Sequence, residues 1–284
     1  MREAIRKPVV AGSFYEGAEE RLKKQIEDCY LHRLGPGEIP KVSSRKEGKT
    51  LGLICPHAGY LYSGPVATRG FHQIIREKTP DIVVIMGPNH YGSGAEVAIT
   101  EKEEWGTPLG ISKVDNDLSR EIVNTCPFIQ FDEKAHQREH SVEVQLPFLQ
   151  YSYKENFKII PICIMKQDYN TSRRIGETLS RVLKDKNSLI IASSDFTHYQ
   201  PQEIAERQDK MAIEAILSLN PEKLEEVVLK EEISMCGPGP IMAMLVVTSL
   251  LGAKRARLLK YATSGEITGD YGAVVGYASL AIEK

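Results

Sequence analysis

The sequence predicts an α/β fold, with helices on both sides of a central mixed sheet in a three-layer α/β/α arrangement. Three observations lead there. Short apolar runs rich in Ile and Val recur at 51–55, 81–86, 158–164 and 188–193, as in strands buried on both faces. Stretches of helical length separate these runs, and such alternation is the mark of an α/β sheet. Finally, the 284-residue chain is 42% hydrophobic and 26% charged, a composition that can bury a core and is not that of a disordered chain. One domain spanning 1–284 is expected.

In order along the chain, the segment Arg6-Lys7-Pro8-Val9-Val10-Ala11-Gly12-Ser13-Phe14-Tyr15 reads as irregular, and a helix follows over 18–34. Residues 35–48 are rich in turn formers and charge and read as a mobile surface loop. Too little chain precedes that loop to form a core, so it is no domain boundary. Strand 51–55 leads to a helix at 65–77 and to strand 81–86. A short apolar piece at 96–100 precedes a polar connection and a helix at 115–124. Residues 140–150 read as a helix interrupted or ended near Pro147. Strands 158–164 and 188–193 flank a helix at 172–183, and further helices are expected at 201–217, 221–229 and 240–251. Two closing strands, 257–261 and 273–282, complete the sheet. No internal repeat or low-complexity tract is present.

Composition narrows the function. A formal net charge of -2 gives no sign of the basic surface that nucleic-acid binding needs. No window approaches the roughly 18–20 apolar residues of a membrane span, and the charged amino terminus lacks a signal-peptide core. Five widely spaced cysteines without a C-x-x-C pair fit reduced thiols in the cytoplasm, with Cys55 and Cys163 as core thiols inside strands.

Three of the apolar runs end in a histidine among small and polar residues: His57, His90 and His198. Ligands and catalytic groups gather beyond the carboxyl ends of strands in open α/β sheets, and neutral imidazole is the commonest protein ligand for Zn, Fe, Cu and Ni. His57 and His90 therefore make a half-site for a metal, with Gly59, Gly87 and Gly92 permitting close approach; the alternative is ordinary loop polarity. Cys236 stands just before an apolar helix whose amino terminus would favour thiolate, or it is a structural cysteine in a tight turn. Asp195 and His198, three apart, suit acid–base work; otherwise Asp195 caps a turn and His198 packs. His140 and Glu143 share one helix face if that stretch is helical. They would then orient a ligand histidine or lie on a solvated face. Tyr60 and Tyr91 could line the pocket, whereas His32, His72 and His136 have no such context. There is no phosphate loop, dinucleotide fingerprint, nucleophile elbow or H-E-x-x-H helix.

Taken in order, the Arg6 to Tyr15 segment, Pro56-His57-Ala58-Gly59-Tyr60, Gly87-Pro88-Asn89-His90, Glu139-His140-Ser141-Val142-Glu143, Ser193-Ser194-Asp195-Phe196-Thr197-His198 and Cys236-Gly237 resemble the Memo family over nearly the whole chain. The resemblance implies a fold like that of the class III extradiol dioxygenases, which cleave catechol rings with non-haem iron. It places metal-site residues at His57, His90 and Cys236, with Asp195 and His198 beside them. Those dioxygenases use two histidines and a glutamate, so Cys236 in the carboxylate's place changes metal preference and redox behaviour. The expectation is a metal-dependent oxidoreductase using iron or copper, with zinc as an alternative, on an unknown small molecule or oxygen species. His198 would be its acid–base, oriented or charged by Asp195. Two rivals use the same pocket: an adapter that binds a peptide or partner protein, as eukaryotic Memo proteins are associated with receptor signalling, and a zinc-type hydrolase. Prokaryotic members are often encoded near a radical-SAM protein, which implies protein partners in a shared pathway.

Overall fold

The computed structural model describes residues 4–42, 48–154 and 156–284; residues 43–47 of the expected mobile loop lie outside the described residues. The first half contains β1 (Ile5–Arg6), α1 (Glu19–Leu31), β2 (Thr50–Cys55), α2 (Tyr60–Ile75), β3 (Ile82–Pro88), β4 (Val97–Ile99), β5 (Glu104–Thr107), β6 (Gly110–Val114), α3 (Asn116–Thr125), β7 (Gln130–Phe131) and α4 (Glu133–His136). After a 3-10 turn at Glu143–Gln145 come α5 (Leu146–Tyr153), β8 (Lys158–Ile164), α6 (Tyr169–Val182), β9 (Ser188–Ser193), β10 (His198–Gln200) and α7 (Gln202–Leu217). The chain ends with α8 (Pro221–Lys230), α9 (Pro238–Leu250), β11 (Arg255–Thr263), α10 (Gly265–Thr268) and β12 (Val274–Glu283).

The strands join in the order β1-β5-β6-β8-β3-β9-β2-β12-β10, with β11 on β12 and β4 on β8. Strands β6, β8, β3, β9 and β2 run parallel, and β12 closes the sheet antiparallel to β2. Side-chain alternation along a strand assigns residues to the two faces. Ile54, Val84, Met86, Ile162 and Ile190 pack with α6, α7 and α9 on one side. Leu53, Cys55, Val83, Ile85 and Ile191 pack with α1, α2 and α5 on the other. The mixed, three-layer architecture expected from the apolar runs is the one observed.

Three details differ from the sequence reading. Helix α2 starts at Tyr60, five residues before Pro65, which lies inside it. Ser63 Oγ donates to the Ala58 carbonyl at 2.8 Å and ties this first turn to the His57 loop. Pro147 opens α5 instead of ending a helix, as suits a residue without an N–H in the first turn. The polar connection after 100 holds the β5–β6 hairpin. Among the described residues no helix is long and apolar enough to cross a membrane.

Candidate metal centre

Register brings the site together. Cys55 of β2 pairs with Ser193 of β9, and Met86 of β3 pairs with Ala192, so the carboxyl ends of the three strands finish side by side. His57 and Asp195 each stand two residues beyond this paired end, and the His57 N–H donates to Asp195 Oδ1 at 2.8 Å. The turn before α9 lies against the same loop. Cys236 N–H donates to the Asp195 carbonyl at 3.3 Å and Gly237 N–H to Ser194 Oγ at 3.0 Å. A Cβ at Gly237 would come within 2.7 Å of the Ser193 carbonyl oxygen and 2.8 Å of Ser194 Cβ, so only glycine permits this approach. Gln167, just past β8, fastens the other side of the turn, donating to the Cys236 carbonyl at 2.9 Å and accepting from Gly239 N–H at 3.0 Å.

One ligand atom each from His57, His90 and Cys236 lie within 4.8 Å of one another. The hydrogen bonds around the rings determine which nitrogen is free. Gln145 Nε2 donates to the Pro56 carbonyl at 3.0 Å and to Ser193 Oγ at 2.8 Å. Ser193 Oγ gives its own proton to the Ser141 carbonyl at 2.6 Å. It can therefore only accept at its remaining contact, 2.9 Å from His57 Nδ1, which must carry the proton. The lone pair of His57 Nε2 then faces Cys236 Sγ at 3.1 Å. His90 follows the same rule through Glu139, whose Oε1 lies 2.9 Å from His90 Nδ1 and whose Oε2 accepts the His90 N–H at 2.7 Å. A carboxylate on one imidazole nitrogen fixes the tautomer and raises the basicity of the other, a common arrangement behind metal-bound histidine.

These donors fit a metal ion. Two imidazole nitrogens and a sulfur match sites for copper, iron or zinc, and atoms sharing one tetrahedral ion lie roughly 3.3–3.7 Å apart, within the span seen here. His90, Glu139 and His140 form a second close group. Its carboxylate is already engaged by His90 and by the N–H groups of His140 and Ser141 at 2.9 and 2.8 Å, so Glu139 serves to orient the rings.

Burial disfavours a positive charge on His57 and on His140. Burial holds the His57 imidazole well below its ordinary range, and His140, His90 and His198 add to the effect. His140 stacks on His90 with ring centres 4.6 Å apart, and burial lowers it to about 4. Glu139 moves down to about 2: burial opposes the ionised form, but His90 and the Ser141 N–H outweigh it. Burial raises Asp195 to about 6. The Cys236 thiol is pushed up by burial and by Asp195, contrary to the expectation of a helix-favoured thiolate. The first turn of α9, Pro238-Gly239-Pro240, adds no free N–H to oppose this, since prolines have none and the Gly239 N–H goes to Gln167; Cys236 Sγ accepts the Asp195 N–H at 3.1 Å instead.

Other expected site residues fall in different places. Asp195 secures the His57 loop and makes no hydrogen bond to His198. Instead, His198 N–H and Nδ1–H reach Ser234 Oγ and the Ser234 carbonyl, each at 2.8 Å, and Nε2 takes no part in these bonds. Glu143 orients no ligand histidine. Its buried carboxylate takes Arg6 Nη1 at 2.7 Å, Tyr15 OH at 2.7 Å and the N–H groups of Val9 and Val10. Tyr60 belongs to the core, its hydroxyl on the Val144 carbonyl and its ring stacked on Phe148. Tyr91 is exposed beside His90, under the Arg138 guanidinium. His136 is fully buried beside Trp105. The residues that sequence reasoning passed over are Glu139, Gln145, Gln167 and Ser234.

A profile of Memo-like proteins matches residues 6–281. A MEMO1 family protein of Methanocaldococcus jannaschii is 47% identical, covering 98% of this chain and 99% of the relative. One from Methanopyrus kandleri is 44% identical, covering 98% and 99%, and one from Sulfurisphaera tokodaii 47%, covering 97% and 98%. The crystal structure of the uncharacterized Escherichia coli K12 protein JW3007 shares the fold, with a TM-score of 0.58 at 15% identity, covering 82% of this chain and all of the other.

Proposed function

Because the chain belongs to the Memo-like family, we propose that it is a metal-dependent oxidoreductase. Iron or copper would be held by His57, His90 and Cys236, and the substrate would be a small organic molecule or an oxygen species. One observation carries this reading: the three ligand atoms converge within 4.8 Å while Ser193 and Glu139 hold both imidazoles with Nδ1 protonated and Nε2 free. A bound redox ion would supply electron transfer. The chain's own groups supply the rest. His57 is buried and His90 open to solvent, so the centre is reached from the His90 side. His198, with Nδ1–H held by the Ser234 carbonyl, would use Nε2 for proton transfer. Asp195 keeps the strand-end loops together.

Elemental analysis of anaerobically purified protein, followed by spectroscopy before and after oxygen, tests this. Wild type is expected to hold about one iron or copper per chain, and a His57→Ala, His90→Ala, Cys236→Ser triple variant almost none. Unchanged metal content in the triple variant refutes the ligand assignment. Zinc with esterase or amidase turnover and no redox response would replace the reading with hydrolysis. Full-strength binding of a partner by metal-free protein would replace it with an adapter.

A further inference from the structure

Asp209, on the inner face of α7, is fully buried, and no Lys or Arg pairs with it among the described residues. A carboxylate in such a place is costly unless hydrogen bonds hold it. Its Oδ1 accepts the Thr197 N–H at 2.9 Å and its Oδ2 accepts the Tyr261 hydroxyl at 2.8 Å. Room for it exists only because residue 276 is glycine, since a Cβ there would collide with Asp209 Oδ2. The backbone of Gly276 also clasps this segment, accepting from Phe196 N–H and donating to the Thr197 carbonyl, each at 2.9 Å.

The next residue is His198, which lies at an irregularity in the β10–β12 pairing. Tyr199 follows at φ 56, a left-handed conformation that a bulky side chain adopts only under constraint. A backbone bent this way keeps its shape when its neighbours over-determine it. From these contacts we infer that Asp209, locked by Tyr261, is a positioning residue for His198: it pins Thr197 so that the His198 ring seats its Nδ1–H on Ser234 and presents Nε2 to the centre. The inference rests on the proposed role of His198.

Histidine side-chain 1H–15N spectra of the full-length chain test it, with His198 assigned by His198→Gln. Asp209→Asn should preserve the wild-type signature, because its amide oxygen still accepts from Thr197 and the Tyr261 hydroxyl can turn to accept. In Asp209→Ala/Gly276→Ala a methyl group refills part of the space. His198 should there become a mixture of tautomers, with Nδ1–H exchange accelerated at least tenfold. Tyr261→Phe should give a several-fold acceleration. A wild-type His198 spectrum in the folded double variant overturns the inference, as does one in Tyr261→Phe should the double variant not fold. Uptake of Zn2+ or Cu+ by the same samples is expected to match wild type, because His57, His90 and Cys236 are untouched. A wild-type chain that takes up neither ion overturns the proposed function, while the His198 spectra still decide the inference.

Discussion

Replacing Glu139 by Gln isolates the orienting carboxylate. The wild-type side chain is almost wholly buried and accepts four N–H groups: His90 Nδ1–H and the main-chain N–H groups of His90, His140 and Ser141. A glutamine has one oxygen, so its NH2 must face at least one of these donors, and the charge that strengthens the others is gone. The ionised form is favoured in the fold, where the carboxyl is pushed from 4.5 down to about 2. At about 1.4 kcal/mol per unit this is worth about 3 kcal/mol. With the folded value depressed, that stabilisation is fully present above about pH 4.5 and is lost as pH falls toward 2. The variant should therefore be less stable by about 1–3 kcal/mol at pH 7, and the gap should narrow in acid. Weaker orientation of His90 should cut metal affinity by about 10–100-fold. Competition with a chromophoric chelator measures the second effect and urea unfolding at pH 7 and pH 3 the first. A Glu139→Gln chain that binds metal as tightly as wild type refutes the view that this carboxylate prepares His90.

Two other outcomes follow from contacts already described. Ser193→Ala removes the group that makes His57 Nδ1 the protonated nitrogen and strands the Gln145 amide and the Ser141 carbonyl. It should cost about 1–3 kcal/mol and bring the Nε2–H tautomer of His57 into the 15N spectrum, whereas an unchanged spectrum would contradict the assignment. His136 is held near 3 by burial, with Arg6 adding to the effect, so the unfolded chain takes up its proton first and stability should fall as pH drops from about 6.5 toward 3. The full loss is on the order of 5 kcal/mol, and His136→Phe should remove that slope from urea-unfolding free energies.

How far the chain could be read in advance depended on what each residue type announces. The buried strands announced themselves through Ile and Val runs, and their ends led to His57, His90 and His198. The β5–β6 hairpin did not, because much of Gly110–Val114 faces solvent and carries no apolar run. Pairing His140 with Glu143 assumed a helix. There Ser141 instead donates its hydroxyl to the Pro88 carbonyl and its own carbonyl accepts from Ser193 Oγ, while nearby Glu139 faces the rings. The signal was its position directly before a histidine. Asp209 lay within an amphipathic helix where a carboxylate reads as solvated, and only the missing side chain at Gly276, far along the sequence, discloses that it is buried. Likewise, prolines in the first turn of α9 start a helix without adding free N–H donors, and the burial and Asp195 charge that push the Cys236 thiol up come from chain far from residue 236.

The separation of 179 residues between His57 and Cys236 has a consequence for biogenesis. A ribosome releases the amino-terminal part first, so a nascent chain presents two imidazoles long before the thiol leaves the exit tunnel. Tight capture of an ion by all three ligands would then await synthesis of Cys236 and closure of the sheet. A cargo that binds only the finished fold stabilises it by mass action, so loading would be the last event of maturation and a truncated product would keep a weak, exchangeable grip.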